Sequence, residues 1–125
     1  MELNRTRADF ESEATRIESL PTLLKEEKTL MGWLAVIEGS CRGEGFRLYQ
    51  GRNIVGSSSQ CDIVVPDEGV QDRHLSIRCS KGKWVLTDLD SDGGTQLNGK
   101  RVYRTELSDG DKVKAGKVLF QIKML

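Results

Sequence analysis

The feature that most constrains the fold is a series of short β-type segments that begins near Gly32 and continues to the end of the chain. In each segment β-branched, aromatic or leucine side chains alternate with polar ones, and Gly, Asp, Asn or Ser follows. Such alternation is typical of strands with one buried face, and the small residues favour tight turns. Because no helical pattern separates the segments, they predict an all-β sandwich or barrel.

The strongest local signal is a hairpin in TQLNGKRVY, residues 95–103. Asn98 and Gly99 both tolerate the positive φ that a type I′ turn requires. A second hairpin turn is predicted at Lys81–Gly82. The other predicted strands lie in residues 32–40, 44–51, 53–57, 61–65, 74–80 and 83–89, with two more in 107–125. The predicted core consists of Trp33, Val36, Ile54, Ile63, Leu75, Ile77, Trp84, Leu86, Leu89, Leu97, Val113, Leu119 and Ile122.

Charge and hydropathy exclude several classes of protein. The 19 basic and 19 acidic residues give a formal net charge of +0, which argues against a nucleic-acid partner. No apolar run approaches the roughly 20 residues of a membrane span. Residues 1–30 are rich in charge and contain Pro21 but no glycine, so we expect a flexible or partly helical N-terminal tail before a domain at 31–125.

The cysteines and the single histidine carry little sign of metal or disulfide chemistry. Cys41, Cys61 and Cys79 lie far apart in the sequence, and no export signal precedes them. This arrangement favours reduced thiols and a cytoplasmic location. One histidine makes a Cys/His metal site improbable, and we expect neither a metal nor another cofactor.

The segment TDLDSDGGTQLNG, residues 87–99, contains the spacing that begins many calcium loops. Asp88, Asp90 and Asp92 alternate, and Gly93 follows. A complete loop requires a bidentate glutamate at its twelfth position, which is Gly99 here, and it also requires flanking helices. The ordinary alternative, a tight turn whose Asp and Ser side chains bond back to the backbone, is favoured.

Four blocks in a fixed order account better for this region. VGSSSQCDIVV, VQDRHLSI, WVLTDLDSDGGTQLNG and LSDGDKVKAG together resemble a forkhead-associated (FHA) domain over residues 32 to 125. The resemblance implies an eleven-stranded β-sandwich without catalytic activity. It also implies that loops at one end of the sandwich bind phosphothreonine peptides.

The resemblance assigns roles to individual residues, and the chain departs from the family pattern at three of them. The family usually has an arginine, a serine and an asparagine at the positions of Ser57, Gln71 and Gly93. The implied peptide-binding positions are Ser57, Ser58, Gln71, Asp72, Arg73, Asp92 and Gly93. The implied supports of the loops are Gly56, His74, Gly94, Thr95 and Asn98.

Charge is also unfavourable for phosphate at these positions. Asp72 and Asp92 lie next to two of the departures, and Asp67, Glu68 and Asp90 belong to the same two loops. If the loops meet, their shared surface is acidic, whereas a phosphate group requires positive charge and hydrogen-bond donors. Arg52 and Arg73 are the cations that remain to compensate.

The sequence therefore predicts a non-catalytic, FHA-like adaptor that binds a protein partner through a degenerate phosphothreonine pocket. One alternative is a working phosphothreonine reader in bacterial Ser/Thr kinase signalling, which binds through Ser57, Ser58 and Arg73. Another is a structural module that assembles with itself. A further hypothesis is that the tail, phosphorylated at Thr6, occupies the pocket. An enzyme is the weakest interpretation, because no nucleophile motif or phosphate-binding loop is present.

Overall fold

The computed structural model describes residues 28–125, so residues 1–27 of the predicted tail lie outside the described residues. Residues 28–125 form eleven strands and no helix. The strands are β1 (Leu30–Glu38), β2 (Gly45–Tyr49), β3 (Gly51–Gly56), β4 (Ile63–Val64), β5 (Leu75–Ser80), β6 (Lys83–Asp88), β7 (Thr95–Leu97), β8 (Lys100–Val102), β9 (Arg104–Glu106), β10 (Lys112–Ala115) and β11 (Val118–Met124).

The strands form two sheets, which confirms the predicted β-sandwich. One sheet has six strands in the order β8-β7-β10-β11-β1-β2, and the other has five in the order β9-β6-β5-β3-β4. Neighbours are antiparallel except β3 and β4, which pair in parallel. No helix with the length and apolar character that a bilayer crossing requires occurs in this part of the chain.

The core lies between the inner faces of the two sheets. Leu34, Phe120 and Ile122 of the six-stranded sheet face Ile77 and Leu86 of the five-stranded sheet, and all five are at most 1% exposed. Fully burying one such side chain contributes about 1.5–3 kcal/mol. These contacts supply the main stabilisation of the sandwich.

Two residues predicted to lie in the core, Trp33 and Leu119, belong instead to the outer faces of their strands. In β1 the buried positions are Gly32, Leu34 and Val36, so Trp33 points outward. In β11 they are Val118, Phe120 and Ile122, so Leu119 is only half-buried. Both strands have apolar residues at consecutive positions, and the alternating pattern alone did not fix the inner face. Leu89 and Leu97 are also only half-buried. Ile54 is buried outside the main cluster, and the other predicted core residues belong to that cluster.

Both predicted hairpin turns are confirmed. Asn98 and Gly99 have φ values of 51° and 88°, and Lys81 and Gly82 have φ values of 53° and 77°.

Strand β9 was not predicted. The chain leaves the six-stranded sheet at Val102 and joins the five-stranded sheet at Arg104, so Tyr103 alone makes the crossover.

Candidate functional site

The positions that the sequence nominated for peptide binding come together at one end of the five-stranded sheet. We call residues 57–58, 71–73 and 92–93 the rim. The N–H groups of Ser57 and Ser58 donate to the carbonyl oxygens of Gln71 (2.9 Å) and Asp72 (3.2 Å). Oε1 of Gln71 in turn accepts from the N–H of Asp92. The middle loop therefore contacts each of the other two, so the three loops meet as the sequence analysis expected.

Gly56 allows the first two loops to approach this closely. A Cβ at Gly56 would lie 2.0 Å from the carbonyl oxygen of Asp72, which is far inside contact distance. The same carbonyl accepts from Sγ of Cys61 at 2.9 Å. Burial raises the pKa of the Cys61 thiol, so the sulfur remains a neutral donor near neutral pH. A side chain at position 56 would push the two loops apart.

The buried side chain of His74 connects two of the loops by hydrogen bonds. Its ring is fully buried. Nδ1 accepts from the N–H of Gln71 (3.2 Å), and Nε2 lies 2.9 Å from the carbonyl oxygen of Gly94. Because a carbonyl only accepts, Nε2 carries the proton, and the ring is the neutral tautomer with both nitrogens engaged. The geometry is that of a support for the rim.

Asp88 organises the loop that carries Asp92. Its Oδ1 accepts from the hydroxyls of Ser91 (2.6 Å) and Thr95 (2.7 Å), and its Oδ2 accepts from the N–H of Ser91 (3.1 Å). Burial opposes the charged form, but these hydrogen bonds outweigh it and lower the pKa of Asp88. The first acidic residue of the calcium-like spacing thus closes a turn. No group of three His, Cys, Asp or Glu side chains suited to a metal occurs among residues 28–125.

The rim combines exposed carboxylates with one arginine. Asp72 and Asp92 are both exposed. Oγ of Ser57 donates to Oδ1 of Asp72 over 3.4 Å. Arg73 lines a cavity of about 490 Å³ with Ser58 and Asp72, and a second of about 410 Å³ with Asp88 and Asp90. Each cavity that Arg73 borders therefore also contains carboxylates.

Several nominated residues lie away from the rim. Asp67 accepts from Oγ of Ser40 (3.1 Å) and from the N–H of Gly69 (3.0 Å). Asn98 lies at the other end of β7. There its amide oxygen accepts from the N–H of Lys112 (3.0 Å) and its amide nitrogen donates to Asp111 (3.1 Å). Asn98 thus joins β7 to β10 at the far end of the sandwich.

Arg101 lies beside the rim, although no motif in the sequence nominated it. A Cβ at Gly94 would lie 2.7 Å from Nε of Arg101, so the guanidinium covers this glycine beside Gly93. The same guanidinium lies 5.3 Å from the ring centroid of Tyr103, which is 67% exposed. The register of the hairpin would have shown this, because a two-residue turn at 98–99 places Arg101 opposite Gln96, close to Gly94. A second cation therefore borders the rim.

Comparisons with known proteins match this fold and this order of loops. Residues 35–124 match the family described as "Inner membrane component of T3SS, cytoplasmic domain". FhaA, an FHA domain-containing protein of Mycobacterium tuberculosis, is 38% identical over 74 residues, which are 59% of this chain and 14% of that protein. The chain therefore spans only a small part of that relative's length.

Two solved structures agree closely with the described domain. An FHA domain analysed for phosphothreonine-dependent interactions is 34% identical, with a TM-score of 0.71 over 76% of this chain and 97% of that one. The FHA domain of FhaA, complexed with the intracellular domain of Rv3910, is 34% identical, with a TM-score of 0.68 over 73% of this chain and 98% of that one. By fold, by sequence and by the order of its loops, the chain belongs to the forkhead-associated domain family.

Proposed function

We propose that this domain is a non-catalytic protein-interaction module whose rim binds a peptide of a partner protein with little dependence on phosphate. One observation carries the proposal: hydrogen-bond donors of the rim are already bonded to acceptors of the rim itself. The N–H of Asp92 is engaged by Oε1 of Gln71, and the hydroxyl of Ser57 is directed at the carboxylate of Asp72. A phosphate would have to displace these acceptors before it gained a hydrogen bond.

Electrostatics supports the same conclusion. A phosphothreonine carries about −1.5 to −2 charges at neutral pH. Two unit charges about 6 Å apart repel by roughly 3 kcal/mol at an effective dielectric constant near 20, and salt reduces this. The exposed carboxylates of Asp72 and Asp92 therefore favour a neutral or basic peptide over a phosphorylated one.

A gain-of-function variant tests the proposal. Ser57→Arg, Gln71→Ser and Gly93→Asn together restore the side chains usual in the family and remove the Gln71 acceptor. Position 93 has room, because no described atom lies within 4 Å of a Cβ built there, and its φ is not positive. We expect a phosphothreonine peptide to bind the triple variant at least roughly tenfold more tightly than the native domain, because a hydrogen bond to a charged group contributes about 1.5–3 kcal/mol.

Gly93→Asn alone is the matched control. It leaves the contact between Gln71 and Asp92 intact, so it should raise phosphopeptide affinity little. If the triple variant gains nothing, then the acidic and self-satisfied rim is not what limits phosphate binding.

A second candidate function is phosphothreonine recognition through residues that are still available. Ser58, Arg73 and Arg52 line the same cavity of about 490 Å³. Oγ of Ser58 accepts from the N–H of Gln60 (3.1 Å), which leaves its own hydrogen free to donate. The relative analysed for phosphothreonine-dependent interactions favours this candidate. It predicts a preference for phosphorylated peptides that Arg73→Gln abolishes.

A third candidate is assembly within a larger complex, which the description of the matched family favours. In that case the domain should bind neither the phosphorylated nor the unphosphorylated peptide, and its mass in solution should rise with concentration.

A cytoplasmic location accompanies all three candidates and is supported by the three free cysteines. Thr6 lies outside the described residues. NMR of the Thr6-phosphorylated chain would test its docking, and unchanged shifts at Ser57 and Gln71 would end that idea.

A further inference from the structure

A second concave surface lies at the end of β3 opposite the rim. The turn from β2 to β3 borders a cavity of about 520 Å³, and three cationic side chains line it: Lys28, Arg47 and Arg52. We call it the basic cavity. Arg52 precedes Ser57 by five residues of extended chain, so at about 3.3 Å per residue the two positions are roughly 17 Å apart. The basic cavity therefore adjoins the rim without coinciding with it: Arg52 and Asp62 also line the cavity of about 490 Å³ that Arg73 borders, whereas Lys28 and Arg47 line the basic cavity and not that one.

The positive charge of this cavity is poorly balanced by its own lining. Asp62 is the only acidic residue among the described residues that line it. Its Oδ2 already accepts from the N–H of Ile54 at 2.7 Å. Nζ of Lys28 lies 5.6 Å from the ring centroid of Tyr49, a cation–π distance that holds the ammonium group beside the cavity. Three cations thus converge where one engaged carboxylate is present.

Behind the cations, the polar atoms of the Asn53 side chain are engaged within the domain. Asn53 is 4% exposed. Its amide nitrogen donates to the carbonyl oxygens of Tyr49 (2.9 Å) and Ile77 (3.0 Å), and its amide oxygen accepts from the N–H of Tyr49 (3.0 Å). The turn from β2 to β3 is therefore fixed from inside. The positive charge of this surface comes from the exposed side chains of Lys28, Arg47 and Arg52.

We propose that the basic cavity is a second binding site, which takes a short acidic segment of a protein partner. Guanidinium groups bind carboxylates in a bidentate manner, and two of the three cations are arginines. A long polyanion such as a nucleic acid fits less well, because the chain has no net positive charge and the rim carries exposed carboxylates. The proposal depends chiefly on Lys28 and Arg47, which do not line the rim cavity, so it does not require the rim to bind phosphate.

A titration of the full chain with a short labelled peptide of Glu and Asp tests this site. The control peptide replaces each acidic residue with Gln or Asn. We expect the acidic peptide alone to shift the amide resonances of Lys28, Arg52 and Tyr49, and binding should weaken with added salt. The double variant Lys28→Gln, Arg47→Gln should lower its affinity by roughly fivefold, because exposed charge pairs contribute a few-fold each.

A control variant with the same loss of positive charge distinguishes binding at the basic cavity from general electrostatic attraction to the protein surface. Lys112→Gln with Lys114→Gln removes the same charge from two exposed positions of β10. This variant should bind the acidic peptide as the native chain does. Equal losses in the two double variants, equal binding of the neutral peptide, or tighter binding of a single-stranded oligonucleotide would each overturn the proposal. Shifts that inorganic phosphate reproduces fully, with no preference for the peptide, would mean an adventitious ion only and would overturn it as well.

Discussion

Nε2 of His74 donates a hydrogen bond to the carbonyl oxygen of Gly94 over 2.9 Å, and this contact joins the loop before β5 to the loop before β7. Nδ1 of the same ring accepts from the N–H of Gln71. The side chain of Gln71 then reaches the N–H of Asp92. A buried imidazole and a half-buried amide therefore fix the shape of the rim without any ligand.

Replacement of the imidazole should weaken the whole domain. His74→Ala leaves the carbonyl of Gly94 and the N–H of Gln71 without partners and opens a cavity. We expect it to lower the free energy of unfolding by about 2–4 kcal/mol, measured by urea denaturation. Lys114→Ala, on an exposed strand position, should change it by less than about 0.5 kcal/mol. A loss as small as that of the control would contradict the supporting role of His74.

Two glycines of the rim region should respond oppositely to the same substitution. Gly56→Ala places a Cβ 2.0 Å from the carbonyl oxygen of Asp72 and should cost about 2–4 kcal/mol of unfolding free energy. Gly93→Ala meets no described atom within 4 Å and should be neutral or stabilising by up to about 1 kcal/mol. Thermal or urea denaturation of the pair measures both. Equal effects would contradict the close approach of the two loops.

Asp88 should make stability depend on acid pH. Hydrogen bonds lower its pKa in the folded state, so its contribution is present above the pKa of the unfolded chain and is lost as pH falls through the folded pKa. Asp88→Asn should cost about 1–3 kcal/mol at pH 7. The difference from the native chain should begin to shrink below about pH 4, where the unfolded chain takes up the proton, and should be smallest below the folded pKa, where the carboxyl is protonated in both states. Denaturation curves measured from pH 2 to 7 check this, and a constant difference would refute it.

The three thiols should react at different rates. Burial raises the pKa of Cys79 to about 11, and its side chain is fully buried. Burial also raises the pKa of Cys61, whose sulfur is hydrogen-bonded to Asp72. Because the thiolate is the nucleophile, iodoacetamide at pH 8 should modify Cys41 first, Cys61 more slowly, and Cys79 only on unfolding. Peptide mass mapping over time measures the order, and early modification of Cys79 would contradict it.

The pattern of strands and turns predicted a sandwich or barrel because its information is local, and the resemblance to the FHA family selected the sandwich. Asn98–Gly99 and Lys81–Gly82 require positive φ, and small polar residues end most strands, so the hairpins follow from short segments. The sequence did not show which side of β1 and β11 faces the core, because each strand has two adjacent apolar residues. These are Trp33 and Leu34 in β1, and Leu119 and Phe120 in β11. Only the packing of one sheet on the other decides between them.

The meeting of the three loops was predictable, but the contacts between them were not. The resemblance placed Ser57, Gln71 and Gly93 at one end of the fold, and the structure brings their loops together there. The contact between Gln71 and Asp92 joins residues that are 21 apart in sequence, so no local pattern encodes it. The approach of Arg101 to Gly94 follows from hairpin register, whereas the convergence of Lys28, Arg47 and Arg52 depends on how the edges of both sheets meet.

Isothermal titration of the native chain with a phosphothreonine peptide and its unphosphorylated twin tests the central claim most directly. If the rim satisfies its own donors and repels anions, the two dissociation constants should agree within about threefold, a difference below roughly 0.7 kcal/mol. A preference of about a hundredfold or more for the phosphorylated peptide, lost on Arg73→Gln, would contradict this account and establish a phosphothreonine reader.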